Sequence, residues 1–182
     1  MEHETLYTAT KWDILKILEK RPHSPIEIAN TLKASIANVS QQLRLHELAG
    51  IVASERVPNR DKGQPRVLYR IAGDLSYLIA TSGDFVGKKL VRLSEMNKIV
   101  LRIWFIDDPS VRHALEKAVW LIDGELSRIR SLRYAGKEKG VPVIEYAGDA
   151  ELPPRIALEG KDNAVTLRKA EHPGGYVLLE RR

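Results

Sequence analysis

Residues 24–50 read Ser24-Pro25-Ile26-Glu27-Ile28-Ala29-Asn30-Thr31-Leu32-Lys33-Ala34-Ser35-Ile36-Ala37-Asn38-Val39-Ser40-Gln41-Gln42-Leu43-Arg44-Leu45-His46-Glu47-Leu48-Ala49-Gly50, and this stretch decides the fold of the N-terminal part. Ser24 stands at an N-cap, Pro25 at the first helical position and Glu27 three residues after the cap. Serine and glutamate can satisfy each other's free backbone N–H groups, and proline loses nothing where its missing N–H would be unpaired. A short helix from Pro25 to about Leu32 follows, with Ile28, Ala29 and Leu32 inward. Ser35 supplies a second cap, and Val39, Leu43 and His46 mark the buried face of a further helix, with Leu45 and Leu48 on another packing side. Gly50 closes it, in the place where a left-handed residue ends a helix at little cost.

Before this stretch, Trp12, Leu15 and Leu18, with Ile14 and Ile17 beside them, predict an amphipathic helix over 9–20. It ends before Arg21-Pro22, because the residue preceding a proline avoids the helical region. After it, Ile51–Val57 reads as a strand, Pro58–Pro65 as a polar turn containing Gly63, and Val67–Ile71 as a returning strand. Helix, short helix, helix and hairpin is the order of a winged helix-turn-helix.

Residues 9–73 resemble the winged helix-turn-helix of ArsR-type transcription regulators, archaeal members above all. The likeness lies in Thr10-Lys11-Trp12-Asp13-Ile14-Leu15, Ile26-Glu27-Ile28-Ala29, Asn38-Val39-Ser40-Gln41-Gln42-Leu43 and Leu48-Ala49-Gly50-Ile51-Val52. It implies a transcription regulator that binds double-stranded DNA. Lys33 stands in the tight turn where such proteins usually have glycine, and His46 where leucine is usual. With no cysteine in the chain, the thiolate metal site of metal-sensing members cannot exist.

Opposite Val39, Leu43 and His46, the third helix presents Ala37, Gln41 and Arg44, with Asn38 and Gln42 on the flanks. Asparagine and glutamine can pair with adenine in the major groove, arginine with guanine, and alanine can touch a thymine methyl. Ser35 can also donate to a phosphate, although capping alone explains it. The turn Arg60-Asp61-Lys62-Gly63-Gln64 gives Arg60 and Lys62 as wing contacts, and Arg66 extends a basic stretch that runs from Arg56 to Arg70. A solvated helix face and an ordinary charged loop would contain the same residue types, so the order of elements carries the DNA-binding expectation. His46 is expected to be a core histidine with its hydrogen bonds satisfied.

Beyond Gly73, Leu75–Ala80 suits a strand and Phe85–Leu93 is ambiguous. The run Ile99–Ile106 is almost wholly apolar and must be buried. Ser94 favours a helix there, while a central strand fits the composition equally. Asp108-Pro109 opens a helix whose stripe is Val111, Leu115, Ala118, Ile122, Leu126 and Ile129. The stripe, with Trp104 and Trp120, reads as a dimerisation face, since two-fold recognition of DNA doubles the contacts; packing on the chain's own C-terminal part would produce the same stripe. From Gly136 on, Val141–Tyr146, Arg155–Leu158, Ala164–Arg168 and Tyr176–Leu179 read as strands of a small antiparallel sheet. Residues 160–163 and 172–175 read as hairpin turns between the last three.

The expected class is therefore α+β: an N-terminal winged helix-turn-helix (1–73), a helical linker and dimerisation region (74–135) and a β-rich C-terminal domain (136–182). Hydrophobic residues at 43% and charged residues at 29% suit a folded protein. The net charge of +5 is a weak clue by itself. No apolar run reaches membrane-spanning length and no export segment opens the chain, so a cytoplasmic location without membrane contact is expected. The five histidines lack metal-ligand spacing, and Asp107, Asp108 and His113 read better as a helix cap than as a metal cluster. No catalytic residue, metal or cofactor is expected, and a small-molecule effector is left open. Two rivals remain: a winged helix serving as a protein-interaction module, and an effector-binding or enzymatic C-terminal domain that the winged helix targets.

Overall fold

A computed structural model describes residues 3–58, 66–158 and 164–181. The chain is a mixed α and β protein in two compact units, 1–92 and 93–182. Residues 74–135 are divided between them.

The first unit opens with a 3-10 helix, His3–Tyr7, followed by α1 (Ala9–Leu18), α2 (Pro25–Leu32) and α3 (Ile36–Leu48). Two antiparallel hairpins follow, β1 (Val52–Val57) with β2 (Arg66–Ile71), and β3 (Leu75–Thr81) with β4 (Val86–Arg92). Ile14, Leu18, Ile28, Ala29, Val39, Leu43 and Val52 form the core, so each helix turns one face to the other two and to the first hairpin. Between α1 and α2 the chain pairs with β2, His23 N donating to Tyr69 O at 3.0 Å and Tyr69 N to His23 O at 2.8 Å. Gly50, at φ +72°, ends α3 in the left-handed region as expected. Trp12 is 46% exposed and Leu48 70%, so neither belongs to the packed faces assigned to them from the pattern.

The second unit begins with α4 (Glu95–Trp104) and α5 (Pro109–Leu121), joined by a 3-10 helix, Asp123–Arg128, to five strands. These are β5 (Ile129–Glu138), β6 (Val141–Gly148), β7 (Arg155–Ala157), β8 (Ala164–Lys169) and β9 (Tyr176–Glu180), in the spatial order β7-β8-β6-β5-β9. All neighbours are antiparallel except β6 and β8, which run parallel, so the sheet departs from the purely antiparallel expectation. Residues 172–175 are not a hairpin turn. They carry the chain from β8 across to β9 on the far side of β5, while the expected turn 160–163 lies outside the described residues.

Ser94 caps α4, its Oγ accepting from Asn97 N at 3.2 Å, and this settles 95–104 as helix. Met96, Ile99 and Ile103 are buried, but Trp104 and Phe105 at the end of the apolar run are 57% and 79% exposed. The long central helix stops at Leu121 instead of running to Ile129. Its stripe is no free dimer face: Val111, Leu115, Ala118, Ile122, Leu126 and Ile129 all lie in the unit's own core, with Leu132, Ile144, Val165, Leu167 and Leu178 of the sheet. The other face of the sheet carries the ion pairs Arg133–Glu180 at 2.8 Å and Arg168–Glu145 at 3.2 Å, beside the buried Val143 and Ala147.

Candidate nucleic-acid interface

Three local devices aim α3. The Ser24–Glu27 capping box is complete, Ser24 N donating to Glu27 Oε2 at 2.7 Å and Glu27 N to Ser24 Oγ at 3.3 Å. The Ser24 N–H holds the Glu27 carboxyl below its usual range. Lys33 then takes the left-handed conformation, φ 52° and ψ 39°, and Ala34 N reaches back to Ala29 O at 3.0 Å. A residue with a Cβ is strained there, which is why glycine is the usual occupant of such a turn. Ser35 caps the next helix, its Oγ accepting from Asn38 N at 3.3 Å. Its hydroxyl hydrogen remains available to an acceptor.

On α3 the polar and apolar sides are cleanly separated. Val39, Leu43 and His46 are wholly buried, whereas Ala37, Asn38, Gln41 and Arg44 are exposed. Leu48 continues the exposed side, one residue longer than the sequence pattern suggested. Gln42 is half-buried and donates from Nε2 to Asn38 Oδ1 at 3.1 Å, while its Oε1 is buried with no partner among the described residues. Gln42 therefore buttresses Asn38, leaving the Asn38 amide nitrogen free to donate outward. Of the six α3-region candidates, Ser35, Ala37, Asn38, Gln41 and Arg44 are exposed together, and Gln42 stands behind them.

The first hairpin distributes its arginines by register. Val57 faces Arg66, Glu55 faces Leu68 and Ala53 faces Arg70, so Arg66 and Arg70 share one face with Leu68 between them. Arg56 faces Val67 and points to the opposite side with Tyr69 and Ser54. The basic stretch is thus split, and Arg66 and Arg70 form its outward pair. Arg60 and Lys62 lie outside the described residues. Ser54 Oγ donates to Glu47 Oε1 and fastens the end of α3 to β1. Burial, and the Glu47 carboxylate nearby, push the Tyr69 phenol above its ordinary range.

His46 is half satisfied. Its Nε2 donates to Leu6 O at 2.9 Å, which fixes that nitrogen as the protonated one, and its buried Nδ1 has no partner among the described residues. Burial holds the imidazole below its ordinary value, with Lys11 acting in the same direction. The 3-10 helix that supplies Leu6 also stacks Tyr7 on Tyr77 of β3, ring centroids 5.9 Å apart, and tilts it against Trp12 at 6.5 Å. This aromatic cluster had no signal in the sequence, because its members are far apart and share no period.

Asp107, Asp108 and His113 resolve as a helix start. Asp108 Oδ1 accepts from Ser110 N at 2.9 Å and Val111 N at 3.2 Å, and Oδ2 pairs with Lys137 at 2.6 Å. Lys137 above all keeps the Asp108 carboxyl far below the normal carboxylate range. Among the described residues, no three His, Asp or Glu side chains converge as a metal site, and no helix is long and apolar enough to cross a membrane. Compared with known proteins, the chain matches no family model and no curated relative, so any function assigned to it rests on its own residues.

Proposed function

We propose that residues 9–73 are a winged helix-turn-helix of the ArsR type, and that the chain is a homodimeric transcription regulator that reads double-stranded DNA. The observation that carries this reading is the two-sided α3: a fully buried Val39, Leu43 and His46 side, and an exposed side made of one small residue, two amides and one arginine. A helix lying in the major groove needs that division. Gln41 and Asn38 suit adenine, Arg44 suits guanine, and Ala37 suits a thymine methyl. Ser35, Arg66 and Arg70 would hold the phosphate backbone, with Arg60 and Lys62, which lie outside the described residues, as the wing contacts. Two copies present two such helices to successive grooves. Trp104, Phe105, Trp120 and Leu121, exposed on the second unit, offer the apolar surface a dimer requires.

Selection from random duplexes tests the reading. An enriched palindromic motif is expected, with Gln41→Ala and Arg44→Ala each relaxing one position by a factor of roughly five or more, while Lys62→Ala weakens all duplexes alike. A selection that returns no motif at low salt overturns it. A second reading, an interaction module for another protein, is favoured by the β3–β4 hairpin, where Leu78, Ile79, Phe85 and Val86 are exposed at 40%, 60%, 60% and 78%. It predicts that charge substitutions at Phe85 and Val86 abolish function while those at Gln41 and Arg44 do not.

A further inference from the structure

The face of the second unit's sheet turned away from its helices contains a feature that the proposed DNA binding does not use. Between Ile129 and Ser131 the register of β5 against β6 shifts: Ile129 faces Gly148 and Ser131 faces Ala147, so Arg130 is the extra residue of a β-bulge. Such bulges re-aim a side chain. The partner position must be glycine: Gly148 has φ +138°, and a Cβ there would press on Arg128 O and lie 2.9 Å from Arg130 N. The backbone is pinned as well, with Asp149 N donating to Arg128 O at 2.9 Å and Arg181 N to Arg130 O at 2.9 Å.

Arg130 lines three hollows of about 270, 320 and 380 Å³. Asp149 lines two of them, and so does Glu171, which comes from the chain crossing between β8 and β9. The other charges at these hollows are already engaged. Arg133 pairs with Glu180 at 2.8 Å, Lys169 with Glu151 at 3.2 Å, Arg128 with Glu125 at 3.1 Å, and Arg181 with Glu95. Arg130, Asp149 and Glu171 have no side-chain hydrogen bond or ion pair among the described residues. Arg130 also faces the Glu180 carboxylate electrostatically, and it shares the hollow of about 380 Å³ with Asp149, Glu171 and Lys169, the apolar portions there being Ala147 and Ala170.

We propose that this hollow binds a small α-amino acid, its carboxylate on the Arg130 guanidinium and its ammonium between Glu171 and Asp149. Arginine matches a carboxylate with two parallel N–H donors, and the paired carboxylates require a cation that a simple acid anion lacks. The hollow of about 380 Å³ is ample for a molecule of few atoms. The site lies wholly within the second unit and stands whether or not the first unit binds DNA.

Calorimetric titration of the full chain, without DNA, tests it. The probes are the common L-α-amino acids one at a time, each with its decarboxylated amine and its deaminated acid. At least one amino acid is expected to bind saturably in the millimolar range or tighter, with the matched amine and acid roughly tenfold weaker. Arg130→Gln is expected to abolish the heat, and Glu171→Gln, an exposed loop change, to weaken it severalfold with the melting curve unchanged. If no amino acid binds, if the acid alone binds as well as the amino acid, or if Arg130→Gln or Glu171→Gln leaves the affinity intact, the assignment is wrong.

Discussion

His46 is the residue on which the first unit's response to acid turns. Its folded site accommodates the neutral ring, because Nε2 donates to Leu6 O and a proton on Nδ1 would be buried without an acceptor among the described residues. The unfolded chain therefore takes up a proton on this residue at higher pH than the folded chain does. The stability it contributes is complete above the ordinary imidazole value of 6.5 and is lost as pH falls below it. Denaturant titrations at about pH 7.5 and about pH 5.5 should give a lower midpoint in acid. His46→Leu should start about 1 kcal/mol lower, since Leu6 O loses its donor, yet lose much less between the two pH values. Equal acid losses in both proteins would show that other groups set the response.

At the scale of elements, α3 and β5 differ in how their sequences announce them. The α3 pattern is explicit: a serine cap, apolar residues at spacings of three and four, and a terminal glycine. The helix lies where they put it. What periodicity could not reveal was the Gln42 to Asn38 hydrogen bond, since two exposed-looking amides four residues apart read alike until one is half-buried. This gives a testable asymmetry. Gln42→Ala should relax preference at the base position that Asn38→Ala relaxes, and the double substitution should be no worse than Asn38→Ala alone. Binding-site selection with the three variants checks it, and a separate base position for Gln42 would refute the buttress. In β5 two bulges defeat the period of two, at Arg130 and between Tyr134 and Gly136. Ile129 and Leu132 consequently fall three residues apart and extend the preceding stripe of Ile122 and Leu126 as if the helix continued. The cap at Asp108 was legible because it is local. The end at Leu121 was not, because only the sheet decides which apolar residues leave the helix. The same logic explains the parallel pairing of β6 with β8, a long-range choice with no local signature.

For the whole molecule, the proposed DNA reading turns on how many phosphate contacts one binding event would make. The net charge of +5 does not answer it, because 29 basic and 24 acidic residues are spread over both units. Arg66 does, as an exposed cation on the outward face of the first hairpin with no ion pair among the described residues. Each phosphate neutralised contributes about 0.9 to the slope of log affinity against log salt. If one chain binds alone, Arg66→Ala should flatten that slope by about 1, whereas a homodimer loses two contacts at once and should flatten by about 2. Fluorescence anisotropy on the selected duplex across a salt series measures it. A half-site duplex gives the internal control, since there even the dimeric protein engages one copy and the change should fall to about 1. A change of about 1 on both duplexes would leave DNA recognition intact and remove the dimer from the mechanism. No change on either would mean that the Arg66–Arg70 face does not meet the backbone, and the wing contacts would then have to come from residues 59–65 alone.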